Sequence, residues 1–229
     1  MFKIKKRSGT KGPATRKELL AAALELFRRR GYEQTTMRAI AQHAGLSLGA
    51  AYHYFDSKDA ILTTYYEWLQ DEHERAMARV AVPGSALRER LLTLFETKLA
   101  VVRKDRRLLA ALFARLGDPT DPLSVFGKRH AALRERSIVQ FASALSDVPL
   151  STDVRSLAGR TLWLAHLGVL LFFVHDRSPR QAKTHELVTV LVELTVGALP
   201  FIGHPHAATL RNRLLALSSG LARAPGLAP

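Results

Sequence analysis

Thr36-Met-Arg-Ala-Ile-Ala-Gln-His-Ala-Gly45-Leu-Ser-Leu-Gly-Ala-Ala-Tyr-His-Tyr-Phe55 contains two short helical segments around a tight Gly-Leu-Ser turn. Thr36 can cap the first segment by accepting a backbone N–H. Ile40, Ala41 and Ala44 give that segment a narrow apolar side of small residues, over which another helix can approach closely. Gly45 tolerates positive φ, Leu46 can plug the space between the helices, and Ser47 can cap the second segment. In that second segment, about Leu48 to Tyr54, Ala51 and Phe55 lie four apart and face a core, which leaves Leu48, Gly49, Ala50, Tyr52 and His53 mostly outward. This spacing predicts a helix-turn-helix.

A helix laid in the major groove must bring its N-terminal residues close to base edges, while hydroxyl and cationic groups around it hold phosphates. Gly49 and Ala50 permit the approach, and Tyr52, His53 and Lys58 suit the second task. Phe55 reads as a core aromatic. Tyr54 falls on the border and serves either the core or the groove.

Upstream, Leu19, Leu20, Ala23, Leu24, Leu26 and Phe27 share one side of a helix over about Thr15 to Arg30, with Glu18, Glu25 and Arg29 opposite. That helix stops at Gly31 after three arginines, which suit a C-terminal turn. Downstream, Gly and Pro cluster at Pro83-Gly84, Gly117-Asp118-Pro119, Pro149, Ser178-Pro179, Pro200 and Gly203-His204-Pro205. Apolar residues between these points recur at helical rather than alternating spacing. The expected helices lie near 57 to 80, 85 to 103, 105 to 116, 122 to 146, 151 to 175, 180 to 202 and, with a fainter pattern, 206 to 221. The fold class is therefore all-α, with a long helix from near Ser57 leaving the first module and entering the second.

Of the formal charge of +14, five positive charges (Lys3, Lys5, Lys6, Arg7 and Lys11) lie in the first twelve residues without an acid. Such an arm is attracted to any polyanion or is an inert solvated tail. The absence of cysteine removes disulfides, thiol nucleophiles and thiolate metal sites. With no secretory pattern in Met1 to Gly12, the expectation is a soluble cytoplasmic protein.

The pattern Gly31-Tyr32, Thr36, Ile40-Ala41, Ala44-Gly45-Leu46-Ser47, Gly49, Tyr52, Tyr54-Phe55, Ser57-Lys58, Ile61-Leu62 closely resembles the N-terminal domain of TetR-type repressors. The match runs from Thr15 to about Tyr66. The resemblance implies a three-helix DNA-binding head, a fourth helix linking it to a larger helical domain, and homodimers on a palindromic operator. By position, Thr36 and Arg38 touch phosphates, Leu48, Gly49 and Ala50 face bases, and Ser47, Tyr52, His53 and Lys58 hold the backbone, with Tyr54 at the edge of that surface. Leu48 departs from the polar or cationic residue often found there, so specificity can rest on thymine methyls, water and DNA shape. The expected division is a basic flexible arm (1–13), a DNA-binding domain (14–66), an effector and dimerisation domain (67–205) and a partly helical tail (206–229).

Leu162 to Val174 is apolar except for His166 and, at thirteen residues, is short for a bilayer span. A helix apolar on all sides has neighbours all round. The resemblance implies that helices near 151–175 and 180–202 form a four-helix bundle across the two-fold axis. It also implies a small effector between the middle helices and the dimer helices, whose binding changes the separation of the heads. Phe95, Phe113, Trp163, His166 and Phe172 are the candidate lining residues, each with ordinary core packing as its alternative reading. An effector there is expected to be largely apolar.

An enzyme built on the nine histidines lacks a ligand set, because His166 and His175 are nine apart and His204-Pro-His206 has no carboxylate nearby. A purely electrostatic binder of DNA or membrane has no need of Gly45, Ser47 and Gly49. The sequence thus points to a non-enzymatic regulator with no cofactor, no metal and no membrane partner.

Overall fold

The computed structural model describes residues 11–80, 82, 84–116, 118 and 120–222. Ten α-helices run in order through them: α1 (Lys11–Arg30), α2 (Met37–His43), α3 (Leu48–Tyr54), α4 (Lys58–Val80), α5 (Leu87–Val102), α6 (Arg106–Phe113), α7 (Ala131–Ser143), α8 (Thr152–His175), α9 (Ala182–Gly203) and α10 (Ala208–Ala222). No strand occurs among the described residues, so the all-α reading holds. The first helix begins four residues before the expected Thr15. Of the basic arm, residues 1–10 lie outside the described residues.

Two compact units divide between Tyr65 and Tyr66, inside α4. In the first, α2 packs on both α1 and α3. Leu19, Ala23, Leu26 and Phe27 of α1, Ile40 and Ala41 of α2, and Ala51 and Phe55 at α3 are all buried, as the spacing required. Polar contacts tie the edges together. His43 Nε2 lies 3.0 Å from Glu25 Oε2, and Arg16 sits 4.8 Å over the Phe55 ring while donating to Thr64 Oγ1 at 2.7 Å.

The second unit is built around α8, which packs on α6, α7, α9 and α10, while α5 packs on α9. A close approach occurs at Gly159 of α8, where an added Cβ would lie 2.7 Å from Ala142 Cβ on α7. Only glycine lets these helices meet so closely. The turn from α8 into α9 is tied by the buried carboxylate of Asp176. It accepts the Ser178 N–H at 2.8 Å, the Thr184 N–H at 2.9 Å and the Thr184 hydroxyl at 2.7 Å. These hydrogen bonds hold its pKa well below the usual carboxylate range.

The apolar run Leu162–Val174 is part of the 24-residue α8. By length and composition, α8 and the span Pro179–Ile202 are both long and apolar enough to cross a membrane. Length alone, the argument made from the thirteen-residue run, therefore excludes nothing.

Candidate nucleic-acid interface and helical-domain cavity

The turn between α2 and α3 follows from its residues. Gly45 adopts φ +68°, and the C-terminus of α2 closes with Gly45 N–H on the Gln42 carbonyl (3.1 Å) and Leu46 N–H on the Ala41 carbonyl (2.8 Å). This is the paired closure that a left-handed glycine after a helix permits. Thr36 Oγ1 accepts the Ala39 N–H and Ser47 Oγ accepts the Ala50 N–H, each at 3.1 Å, so both residues cap as their positions implied. Acceptance leaves each hydroxyl hydrogen available to a further acceptor.

The outward side of α3 is as the spacing predicts. Tyr52 is 47% exposed, Gly49 and His53 are exposed, and Leu48, Ala50 and Tyr54 are half-buried. Thr36, Arg38, Leu48, Tyr52 and Lys58 line one shallow cleft together with Glu33. Lys58 is more engaged than its sequence position suggested. Its ammonium donates to the Tyr32 carbonyl at 2.9 Å, lies 3.5 Å from the Glu33 carbonyl, and sits 4.4 Å from the centre of the Tyr32 ring. Tyr32 in turn donates its hydroxyl to Asp59. Lys58 is thus fixed at the rim of the cleft rather than swinging free.

In the second unit a cavity of about 110 Å³ is walled by Leu109, Leu112, Phe113, Trp163 and Leu170. Gln70, Lys98, His130, Arg134, Ser137 and His166 also line it, and all six are buried. Arg134 donates to the carbonyls of Val125 (2.7 Å) and Gly127 (3.3 Å), and His130 is hydrogen-bonded to the Pro122 carbonyl at 3.0 Å. Burial pushes the Lys98 ammonium down to about 8, with Glu74 partly offsetting it. Burial, with Lys98 adding to it, holds His166 well below its ordinary value and the neighbouring His73 down to about 3.

Of the five aromatic or histidine candidates, Phe113, Trp163 and His166 come together at this cavity. Phe95 does not line it. That ring is buried against Phe141, with centroids 5.4 Å apart. Phe172 is 41% exposed on the outer side of α8. Apart from His166, the polar lining is not among the sequence candidates, although a signal is present: Lys98 occupies the apolar stripe Leu91, Leu94, Phe95, Lys98, Leu99, Val102 of α5. Among the described residues, no three histidine, aspartate or glutamate side chains gather as metal ligands do.

Comparisons with known proteins bear on both units. Residues 19–64 match the family model of bacterial regulatory proteins, tetR family, and residues 90–201 match that of the tetracyclin repressor-like C-terminal domain. An HTH-type transcriptional regulator of Mycobacterium tuberculosis is 31% identical over 193 residues, which cover 82% of this chain and 90% of the relative. The chain belongs to the TetR family. It is a DNA-binding transcriptional regulator of that type, and the family consists of regulators rather than enzymes.

The regulator UidR of Escherichia coli is 39% identical over 74 residues, or 32% of this chain and 36% of UidR. The TetR fold extends over both units. Salmonella enterica GusR superposes with a TM-score of 0.59 at 23% identity, covering 83% of this chain and 98% of GusR. A TetR-family regulator from Syntrophomonas wolfei gives a TM-score of 0.64 at 18% identity, covering 80% and 95%. TetR-family regulators bind DNA operators and usually act as dimers.

Proposed function

We propose that this chain is a sequence-specific repressor that binds a palindromic operator as a homodimer, is released by a small and largely apolar effector, and works in the cytoplasm. The observation that carries the reading is the cleft where Thr36, Arg38, Leu48, Tyr52 and Lys58 meet beside the outward face of α3. In the proposed complex Gly49, Ala50 and Leu48 approach base edges, and the hydroxyls of Thr36, Ser47, Tyr52 and Tyr54, with Arg38, His53 and Lys58, hold phosphates. The DNA-binding domain is taken as 14–66, the effector and dimer domain as 67–205, and the tail as 206–229.

Dimerisation is supported by apolar side chains left in solvent. Leu164, Leu171 and Phe172 on α8 and Val190, Leu194 and Phe201 on α9 are each at least 41% exposed. Exposed apolar stripes of this kind mark interaction surfaces. Gly168 and Gly197 have open space where a Cβ would stand, which leaves room for a helix to come close. One short recognition helix reads too few base pairs to specify a site, so two related heads multiply the discrimination. The cavity in the second unit is the proposed effector site.

Selection of bound fragments from the host genome, followed by footprinting, tests the reading. The expected footprint is an inverted repeat whose half-sites are centred about one helical turn apart or a multiple of it. Recovery of fragments with no shared motif would overturn it.

A further inference from the structure

Two polar groups at the cavity lack the partners that burial demands. Lys98 stands in the apolar stripe of α5, and its ammonium reaches only Gln70 Oε1, at 3.5 Å, among the described residues. Gln70 uses its own amide hydrogens elsewhere, on Glu74 Oε1 (3.0 Å) and Gln140 Oε1 (2.9 Å). Glu74 is itself engaged by Arg136 at 2.6 Å. No carboxylate lines the cavity, whereas Arg134 adds a second cation to its wall. Glu74 repays the desolvation of this ammonium only in part, so its burial stays costly.

The second group is His166. Its Nδ1 lies 3.1 Å from the Trp163 carbonyl, which can only accept, so Nδ1 carries the hydrogen and Nε2 presents a lone pair. That Nε2 is buried without a partner. The ring stays neutral because burial and Lys98 both oppose its protonation. The walls therefore ask for two complementary groups, a negatively charged acceptor for Lys98 and a donor for His166, on an otherwise apolar body. A hydrocarbon would leave both unmatched. A cation would meet Lys98 and Arg134.

We propose that this cavity receives a small aromatic or aliphatic hydroxy acid, with its carboxylate on Lys98 and its hydroxyl donating to His166 Nε2. The inference rests on the reading of this cavity as the effector site and names the chemistry of the effector. The volume suits a body of roughly one ring, since dry cavities of about this scale accept benzene.

Titration calorimetry of the full chain with benzoate, the three hydroxybenzoate isomers, phenol and benzyl alcohol tests this. Benzoate is expected to bind about tenfold more tightly than benzyl alcohol, and at least one hydroxybenzoate more tightly again, as charge-assisted and buried hydrogen bonds imply. Lys98→Met should abolish the preference for the acid, and His166→Phe should remove only the gain from the hydroxyl. Melting curves confirm folding, and Lys98→Gln serves as a second variant. Neutral probes binding as tightly as the acids, no acid binding at all, or an acid preference that survives both Lys98 variants would overturn the proposal.

Operator binding measured separately, without any acid, keeps the two readings apart. Loss of selective DNA binding would sink the repressor reading whatever the cavity holds. Selective DNA binding with no acid bound would sink only this inference.

Discussion

The Lys58 ammonium is 2.9 Å from the Tyr32 carbonyl oxygen and 4.4 Å from the centre of the Tyr32 ring, which ties the first turn of α4 to the loop after α1. A lysine has three N–H donors, and the Tyr32 and Glu33 carbonyls take two of them. Lys58→Met is expected to cost the head about 1.5–3 kcal/mol of stability, the range for a hydrogen bond involving a charged group. It should also weaken binding to all DNA sequences alike and reduce the salt slope by about one. Thermal unfolding and salt titrations of binding measure the two effects.

Ser47 has two tasks that can be separated. Ser47→Ala removes the cap on the Ala50 N–H and should destabilise the head by about 1 kcal/mol. Ser47→Asp retains a good cap and places a negative charge where a phosphate is proposed to lie. The expected outcome is near-normal melting with DNA binding largely lost. Normal DNA binding by Ser47→Asp would place this residue away from the backbone.

The two glycines of the motif should respond in opposite ways. Gly45→Ala forces an L side chain to φ +68°, at a cost of about 1–2 kcal/mol. Gly49 has ordinary helical geometry with open space at its Cβ position, so Gly49→Ala should raise stability by up to about 1 kcal/mol through helix propensity. Its cost should appear only in recognition, as a smaller affinity ratio between operator and random DNA.

These contrasts show what was legible in the sequence. The turn was readable because its chemistry is local: Gly45, Thr36 and Ser47 each act on backbone groups within four residues of themselves. The cavity was not, because its lining is set by tertiary packing. A helical stripe places Phe95, Lys98 and Leu99 on the buried side of α5 without saying which of them reaches a void. Phe95 met Phe141 instead, and Phe172 turned outward on α8. The same periodicity that marks a core thus conceals the polar group standing in it.

Acid should loosen the second unit before the carboxylates titrate. His73, His130 and His166 all have folded pKa values below the ordinary 6.5, His73 near 3, with burial the leading cause. The unfolded chain then binds more protons, so stability is lost progressively as the pH falls from about 6.5 toward 3. Lys98 follows the same sign at higher pH. Its folded value near 8 lies below the ordinary 10.5, so its penalty is full below pH 8 and fades as the pH rises toward 10.5. Lys98→Met should therefore melt higher than the parent at pH 7, with the difference shrinking by pH 10. A constant difference across that range would contradict the assignment.

Leu194, 66% exposed on α9, is the most exposed large apolar side chain of the proposed dimer face. Leu194→Glu should convert dimers to monomers in sedimentation velocity while leaving the helical content unchanged. Operator affinity should then fall steeply, because each head alone reads only one half-site.

In this reading the α2–α3 motif selects the DNA sequence. The most direct measurement is the affinity of the full chain for the selected genomic fragment against random DNA of the same length, at one stated salt concentration. Specific binders typically show ratios of about a thousandfold or more. The expected result is a ratio in that range that collapses in a Gly49→Val variant with unchanged melting. A ratio near one in the parent protein, with random DNA displacing the fragment freely, would contradict it.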